Sequence, residues 1–387
     1  MTEILRKLFP GPPDTPVVPP GMYQRIVADP PPIPYRLHLR VDPGGRGLLI
    51  VNASTVLHLN ETATAIAWHV VQGTAEDEAA AWTARRFRVS RARARRDGRL
   101  IRDQIEALAE GEDQDPVAVM GMDRRDPYAI RPAVPYRLDL ALTYRLGDGQ
   151  AQDPQARRRV DRELETAEWI RVLDQAWSSG VPHVVFVGGE PTVRDDLLDL
   201  VRHAEALGQV AGVVTHASRL ASPGRMDGLS QAGVDHLLIV VDEDSPAARQ
   251  GLEAAVRSDV FSAAHLTLLT DDDIPARLGV LKEAGITHVS VTTPPGPQCE
   301  ETLRRAEQAV ADLGLVLVWD LPVPFSLANP IRLEVEEDLG RRAWLYVEPD
   351  GDVLPALGTD TVLGNLTRDS LETVWRRDGE ALPTKSG

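Results

Sequence analysis

A Gly-x-x-His phrase that leads into a strand-like run occurs three times between residues 180 and 290 of this 387-residue chain. The copies begin at Gly180, Gly233 and Gly285, and each follows a segment with helical patterning. A glycine just past a helix and a short turn into a strand are typical of the αβ connections of α/β folds. Each interval between copies holds two βα units, because residues 210–215 and 264–270 supply the intervening strands.

Six parallel strands follow from this repeat once residues 137–143 are counted as the first strand. Residues 315–320 offer a seventh. With right-handed crossovers, the pattern predicts an α/β fold built on a partial (β/α)6 barrel of the TIM type over residues 135–325.

The three histidines of the repeat, His183, His236 and His288, are spaced like a set of metal ligands. Each stands at the start of its strand, however, on the face where barrel residues usually serve stability. We therefore interpret them as structural. Chemistry belongs at the opposite rim, where the predicted strands end in these residues: Thr143, Tyr144, Gly188 to Thr192, Thr215, His216, Asp242, Glu243, Thr270, Asp271 and Thr293.

Two rim motifs resemble those of radical SAM enzymes. The second strand runs into Gly188-Gly189-Glu190-Pro191-Thr192, and the first ends in Thr143-Tyr144-Arg145. In that family the Gly-Gly-Glu-Pro loop holds the amino acid end of S-adenosylmethionine, and a T-x-R segment precedes the C-x3-C-x2-C ligands of a [4Fe–4S] cluster. The resemblance implies a cofactor site at Gly188, Gly189, Glu190, Pro191 and Thr192.

The cluster ligands of the family are missing. The family spacing places them at Leu146, Gln150 and Asp153, none of which can donate a thiolate, and the single cysteine is the distant Cys299. Residues 147–159 are polar, which predicts a flexible loop. We expect no iron–sulfur cluster and no other metal, and weak binding of S-adenosylmethionine, since iron supplies much of its hold in the family.

Two interpretations of the loop stay open. Its glycines would let backbone carbonyls approach a ligand, and Glu190 would pair with an ammonium group. Alternatively, the loop is a strand-to-helix turn with Glu190 near the start of the helix. The family's Thr-Asn-Gly at the third strand reads Thr215-His216-Ala217 here, which counts against cofactor binding; His216 is interpreted as a partly exposed loop residue.

The C-terminal region, residues 326–387, contains a predicted hairpin over residues 344–355 around an Asp-Gly turn, then a short helix over residues 369–377. This resembles the SPASM or twitch extension of peptide-modifying radical SAM enzymes, in which a cysteine follows the hairpin's proline. That position is Ala356 here, so the second cluster is also expected to be missing.

The region before the barrel divides into three parts. Residues 1–34 are rich in proline and predict a flexible segment with polyproline character, and residues 111–134 read as a linker. Between them, residues 35–110 give three strands and then three helices, a winged-helix plan. The first helix is predicted to begin after Asn60, a good N-cap, and to stop at Gly73.

This N-terminal plan is similar to the PqqD-like RiPP recognition element, which binds leader peptides of ribosomally made, later modified peptides. The similarity lies in the strand end Leu57-His58-Leu59-Asn60, Gly73 before an acidic helix, and the Phe87-x-Val89 step. It implies that a leader adds a strand at an edge and lies against the last helix. The implied edge residues are Thr55, Val56, Leu57, His58 and Leu59.

An arginine-rich face marks the start of that last helix. Arg91, Arg95 and Arg99 follow i, i+4 spacing and share one side. The face is a solvated surface, a groove for an acidic leader, or the recognition helix of a DNA binder. The net charge of −16 disfavours DNA, so among the binding functions we expect peptide.

Two functional classes stay open, and a third is disfavoured. The first is a cluster-less radical SAM homologue that binds a precursor leader peptide as a pseudoenzyme or scaffold, with a cysteine-intact radical SAM enzyme as its partner. The second is an enzyme that uses S-adenosylmethionine in the barrel for non-radical chemistry. The third class, a lyase or aldolase, requires a lysine or a metal at the rim. It is disfavoured because the barrel's lysine, Lys282, falls within a helix. With no catalytic acid, base and nucleophile set, the first class is preferred.

Length and hydropathy bear on location. The chain is long enough for several domains, and it contains no apolar run of about 18 residues or a signal peptide. We therefore expect a soluble cytoplasmic protein that contacts neither a membrane nor nucleic acid.

Overall fold

The computed structural model describes residues 17–27, 35–51, 55–110, 133–147, 160, 162–241, 245–269, 273–318, 322–323, 328, 330 and 343–380. The chain divides into two compact units, Met1–Ala133 and Val134–Gly387. The rim residues Asp242, Glu243, Thr270 and Asp271 and the cluster positions Gln150 and Asp153 lie outside the described residues, as do most of the predicted leader and linker.

The first unit is a small antiparallel α+β domain. Its elements are β1 (Gly21–Val27), β2 (Tyr35–Val41), β3 (Gly47–Val51), β4 (Thr55–Leu59), α1 (Glu61–Val71), α2 (Glu76–Phe87) and α3 (Arg91–Glu110). The strands form one antiparallel sheet in the order β1-β2-β3-β4. The three predicted strands and three helices are confirmed, because the alternating apolar residues of β2 and β3 bury one face against the helices.

One prediction for this unit was wrong. Strand β1 lies in the stretch assigned to a flexible leader, yet it pairs with β2 over its whole length, from Gly21 opposite Val41 to Val27 opposite Tyr35. Val18, just before it, is 2% exposed and belongs to the hydrophobic core. The prolines around this segment made a strand unexpected. Residues 21–27 themselves contain no proline, so each of them can take part in strand pairing.

Helix α1 begins and ends as expected from its sequence. The side chain of Asn60 accepts a hydrogen bond from the Ala63 N–H at 2.9 Å, which satisfies one of the free amides of the first turn. The helix stops before Gly73, whose φ of +66° suits glycine.

The second unit alternates strands and helices. Its strands are β5 (Arg137–Thr143), β6 (His183–Gly188), β7 (Val210–Thr215), β8 (His236–Val240), β9 (Phe261–Thr267), β10 (His288–Thr292), β11 (Val316–Leu317), β12 (Trp344–Val347), β13 (Asp352–Leu354) and β14 (Gly364–Asn365). Its helices are α4 (Thr166–Ser178), α5 (Leu197–Leu207), α6 (Arg225–Ala232), α7 (Pro246–Val256), α8 (Ile274–Glu283), α9 (Cys299–Leu313) and α10 (Leu371–Glu380).

These strands form one sheet in the order β11-β10-β9-β8-β7-β6-β5-β12-β13-β14. The run from β5 to β11 is parallel, which confirms the six predicted strands and the shorter seventh. The predicted C-terminal hairpin is confirmed, because β12 pairs antiparallel with β13. β12 also pairs in parallel with β5, with Leu345 opposite Leu138, which was not predicted. The segment treated as a separate extension therefore continues the barrel sheet.

The two faces of this sheet carry different residues. One face packs against the helices through residues such as Leu140, Phe186 and Val213, together with Trp169 of α4. The opposite face holds smaller clusters, one of which joins Val185 and Val187 to Tyr346 of β12. None of the helices in the described part of the chain is long and apolar enough to cross a membrane.

The repeated histidines start their strands, as predicted. The His236 ring packs over Gly212, where a Cβ would lie 2.1 Å from Nε2, and its centroid lies 5.0 Å from that of His183. Burial, with a smaller contribution from Arg137, lowers the pKa of His236 to about 4. His288 instead contacts the Phe261 ring, at 4.8 Å. His236 thus serves packing, and His288 combines this ring contact with a 2.9 Å contact between its Nδ1 and the Thr287 hydroxyl.

Candidate functional site

The Gly-Gly-Glu-Pro loop leaves the end of β6 and turns through a short 3-10 helix, Pro191–Val193. The Gly189 N–H donates to the Thr143 carbonyl, and the Glu190 N–H to the Arg145 carbonyl, both at 2.8 Å. A Cβ on Gly188 would lie 2.0 Å from the Thr143 oxygen, and one on Gly189 would lie 2.3 Å from the Arg145 oxygen. The backbone of the loop therefore closely approaches the end of β5 and the residues that follow it.

The Glu190 carboxylate is completely buried and bound by the protein itself. It accepts hydrogen bonds from the Thr192 N–H at 3.1 Å and the Thr192 hydroxyl at 2.6 Å. It also accepts from the Thr215 hydroxyl at 2.9 Å and from the His216 N–H at 2.8 Å. Because four donors converge on it, the side chain joins the ends of β6 and β7.

A charged network beside this loop was missed by the sequence analysis. The buried Arg194 guanidinium donates to Asp196 at 2.6 and 2.8 Å and to the carbonyls of Leu142 and Leu164 at 3.2 Å. Glu163 lies 3.5 Å from Arg194. The sequence signal that could have indicated this network is Arg194-Asp195-Asp196, directly before α5.

Electrostatics in this network favour the ionised carboxylate. Burial alone would raise the pKa of Asp196, but hydrogen bonds from Arg194 and Thr166 outweigh it, and the pKa is lowered. On the outer side, Arg145 contacts Glu163 at 3.3 Å, and Thr143 donates to the same carboxylate. The rim after β5 is thus held by paired charges.

Tyr144 links the rim to the C-terminal hairpin. Its hydroxyl donates to Glu348, at the end of β12, at 3.0 Å. Burial, followed by interactions with Tyr346 and Glu348, raises the pKa of the Tyr144 hydroxyl well above its usual range. This bond fixes the hairpin beside β5.

Three hairpin carboxylates, those of Glu348, Asp350 and Asp352, place oxygens within 4.8 Å of one another. Hydrogen bonds within the hairpin account for part of this arrangement. Asp350 accepts from the Asp352 N–H at 3.1 Å, and Asp352 accepts from the Asn365 amide at 2.8 Å.

The side chains present do not fit a thiolate-bound cluster. Leu146 follows β5 at the first ligand position, and its aliphatic chain offers no donor atom. Ala356 is 5% exposed, so a buried methyl group stands at the position of the second cluster's cysteine. Cys299 begins α9, after β10, and four strands separate β10 from β5.

A polar group on the face opposite the barrel helices was not predicted. His265 of β9 is fully buried, with Nδ1 3.1 Å from the Ser290 hydroxyl and Nε2 3.4 Å from the Thr292 hydroxyl. Burial, opposed by the hydrogen bond at Ser290 and aided by a smaller contribution from His216, lowers the pKa of His265 to about 3. Thr293, predicted at the rim, donates to the Leu268 carbonyl at 2.8 Å.

The strand to which the sequence assigns peptide binding lies at an edge of the sheet. β4 ends the four-stranded sheet, and β3 is its neighbour among the described strands. Leu57 and Leu59 are buried, while the intervening His58 is exposed. Thr55 and Val56 belong to the same strand.

The arginine face of α3 is paired with α2. Arg99 contacts Glu76 at 2.6 Å, Arg95 contacts Asp77, and Arg91 donates to the Asp77 carbonyl at 3.3 Å. The predicted solvated face therefore carries exposed internal ion pairs.

The fold and the loop define a class. A parallel sheet of this order, with the Gly-Gly-Glu-Pro loop after its second strand, is an α/β fold of the radical SAM type. The model for the family described as "Radical SAM superfamily" matches residues 149–260.

Individual proteins are also similar to this chain. "PqqA peptide cyclase" of Xanthomonas campestris pv. campestris is 28% identical to the chain, covering 66% of this chain and 74% of the relative. "PqqA peptide cyclase" of Methylobacterium sp. is also 28% identical, covering 64% and 75%. The structure of Streptococcus suis SuiB bound to S-adenosylmethionine superimposes with a TM-score of 0.57 at 16% identity, covering 91% of this chain and 88% of SuiB. SuiB bound to precursor peptide SuiA gives 0.57 at 16%, covering 87% and 86%. The chain is thus similar in sequence to proteins named PqqA peptide cyclase and in fold to SuiB.

Proposed function

We propose that this chain is a cluster-less radical SAM homologue that binds a precursor leader peptide through its first unit, a PqqD-like recognition element. It acts as a scaffold in the modification of ribosomally synthesised peptides and presents the leader to a cysteine-intact radical SAM enzyme. The observation that carries the binding function is the sheet edge at β4, followed directly by the helical part of the unit.

The edge supplies affinity without sequence choice. An extended peptide that pairs with β4 gains main-chain hydrogen bonds, and alternate side chains select the sequence. α3 packs against β3, the strand next to that edge. A peptide paired with β4 would therefore lie near α3.

The arginines of α3 remain usable for an acidic leader. Arg95 and Arg99 are 39% and 62% exposed, and exposed ion pairs contribute about 0–1 kcal/mol each. A peptide carboxylate can therefore replace Glu76 or Asp77 at small cost. The comparisons support a peptide ligand, since one SuiB structure contains its precursor peptide and the sequence relatives are named for a peptide substrate.

The scaffold role rests on the donor atoms. Leu146 and Ala356 cannot bind iron, and Gln150, Asp153 and the distant Cys299 do not replace the missing thiolates. Electron transfer to S-adenosylmethionine needs the cluster, so a partner enzyme would supply that chemistry.

A second candidate is an enzyme that uses S-adenosylmethionine for non-radical chemistry. The position of His216 favours it, because its N–H contacts Glu190 of the Gly-Gly-Glu-Pro loop at 2.8 Å and an imidazole beside a cofactor loop could act as a general base. The internal hydrogen bonds of Glu190 count against it. A thermal shift at millimolar S-adenosylmethionine that is lost in His216→Ala would support this candidate, and no shift would favour the scaffold.

Titration calorimetry of the full chain tests peptide binding. The probes are leader peptides encoded by small genes next to its own gene, an acidic model peptide and a DNA duplex. We expect binding to a leader. Two versions of the leader are then N-methylated, one at its odd and one at its even amides. Only one of them should lose binding, because alternate amides of an added strand face the sheet edge. Tighter binding to DNA, or equal affinity for both N-methylated peptides, would refute the proposal.

A matched pair of variants tests the charge contribution. Arg95→Gln with Arg99→Gln should weaken binding of the acidic peptide at low salt about fivefold, equivalent to about 1 kcal/mol. Glu76→Gln with Asp77→Asn releases the same arginines and should strengthen it. Changes in the same direction in both variants would show that the arginine face does not select acidic peptides.

A further inference from the structure

The sheet of the first unit has a second edge, formed by β1. This strand pairs with β2 along its whole length, and no described strand pairs with its other side. The backbone N–H and C=O groups on that side are a template for a further strand. Because β1 and β4 are opposite ends of the sheet, this edge is distinct from the proposed peptide edge.

β1 lacks the features that usually protect an edge strand. It contains no proline and no lysine, and its pairing with β2 runs without a bulge from Gly21 to Val27. Its single charged residue, Arg25, donates through Nη1 to the Val70 carbonyl of α1 at 2.8 Å. The strand also exposes a large apolar side chain, that of Ile26, which is 56% accessible. An edge with these properties is typical of strands that pair with another chain.

The side chains of β1 are complementary to a second copy of the same strand, paired antiparallel about a twofold axis at Gln24. In this register Met22 of one copy faces Ile26 of the other, on the sheet face where Gln24 and Ile26 are exposed. On the opposite face Tyr23 meets Arg25 of the other copy, and a guanidinium group over an aromatic ring is a favourable contact. Residues directly opposite in an antiparallel pair are close enough for these contacts.

The neighbouring register is disfavoured. An axis at Arg25 would place the Arg25 side chains of the two copies directly opposite each other, and like charges in that position are destabilising. The axis at Gln24 instead leaves only apolar, amide and arginine–aromatic pairs between Met22 and Ile26.

We propose that β1 pairs with β1 of a second copy of this chain, antiparallel and with the twofold axis at Gln24. Two four-stranded sheets then form one continuous sheet, with the two β4 edges at its outer ends. A single pair of strands is a small contact, so the association is weak and depends on concentration. Leader binding at β4 and pairing at β1 use different edges, so their experiments succeed or fail independently.

Sedimentation velocity of the full chain tests the association. We expect the dimer fraction to rise with protein concentration through the micromolar range. Ile26→Lys should weaken association at least tenfold, because a charged group would face Met22 of the second copy. Val280→Lys, at a position 64% exposed on α8 of the second unit, is the matched control and should leave association unchanged. A monomer at every concentration, or a dimer that persists in Ile26→Lys, would overturn the proposal.

A charge exchange at the axis identifies the occupant as a second copy. Gln24→Lys and Gln24→Glu should each associate at least tenfold more weakly than wild type, because two like charges meet at the axis. An equimolar mixture of the two variants should restore the dimer, since opposite charges then meet there. Gln24 is exposed, so both variants should keep the wild-type circular dichroism spectrum. A mixture that stays as monomeric as the separate variants would overturn the register.

Disulfide cross-linking in a Cys299→Ser background provides a second test of the register. Opposite Cα atoms in an antiparallel pair are about 4.5–5.5 Å apart, within the range of about 4.4–6.8 Å that a disulfide spans. Gln24→Cys should therefore form a covalent dimer on mild oxidation. Met22→Cys alone should not, because it faces Ile26 of the other copy, whereas Met22→Cys combined with Ile26→Cys should. Cross-linking of Met22→Cys as fast as that of Gln24→Cys would contradict the proposed pairing.

Discussion

Both carboxylate oxygens of Glu190 lie 2.9 Å from the Thr215 hydroxyl, which donates a hydrogen bond to them. This contact connects the loop after β6 to the end of β7. The residue best placed to hold a ligand's ammonium group is therefore used inside the protein.

Replacing Glu190 with glutamine should destabilise the second unit. The amide nitrogen would face the donors Thr215 or His216, which would leave buried hydrogen-bonding groups unsatisfied at a cost of about 1–3 kcal/mol. Urea denaturation monitored by circular dichroism measures the change. Glu301→Gln, on an exposed part of α9, is the control and should leave the midpoint unchanged. A Glu190→Gln midpoint equal to the wild-type value would contradict the structural role.

Two glycine substitutions should act in opposite directions. Gly189→Ala places a Cβ 2.3 Å from the Arg145 carbonyl and should destabilise by about 1–3 kcal/mol, because backbone must move. Gly279→Ala, inside α8 with open space around it, should stabilise by about 0.5–1 kcal/mol. Thermal and urea denaturation of the two variants check the signs. Stability of Gly189→Ala equal to wild type would mean that the loop is not packed on the segment after β5.

Stability should fall between pH 7 and pH 5 because of His265. Its folded pKa, about 3, lies below the unfolded value near 6.5, so the unfolded chain binds the additional proton as the pH falls. The loss by pH 5 is about 2 kcal/mol for such a histidine. His265→Gln should reduce the pH dependence of the free energy of unfolding by that amount, whereas His58→Gln, at an exposed position, should not. Identical pH dependence in wild type and His265→Gln would count against a buried neutral imidazole.

Anaerobic incubation with iron and sulfide should yield no bound cluster. The reason is the donor set: Leu146 and Ala356 have no ligating atom, and a single thiolate from Cys299 cannot hold four irons. Iron and acid-labile sulfide are measured per chain after gel filtration, with Cys299→Ser as the control for adventitious iron. Four irons per chain that persist in Cys299→Ser would refute this prediction.

Some parts of the site could be predicted because they depend on local chemistry. Asn60 caps α1 through its own side chain, and the Gly-x-x-His phrases start strands because a helix must end before them. The position of β12 could not be predicted, because its pairing with β5 joins segments about 200 residues apart through backbone bonds that leave no sequence pattern. His265 was missed for the same reason: its partner Ser290 lies on the next strand, 25 residues away.

The sequence alone determined the alternation of strands and helices and the missing thiolates, since periodicity and donor atoms are properties of nearby residues. Only the tertiary structure decided what the polar groups contact. Glu190 could have faced a ligand or Thr215, and Arg99 could have faced solvent or Glu76, with the same local sequence. Those choices depend on which strand ends and helix faces come together, because hydrogen bonds and ion pairs form between groups that the chain's folding brings within about 3–4 Å.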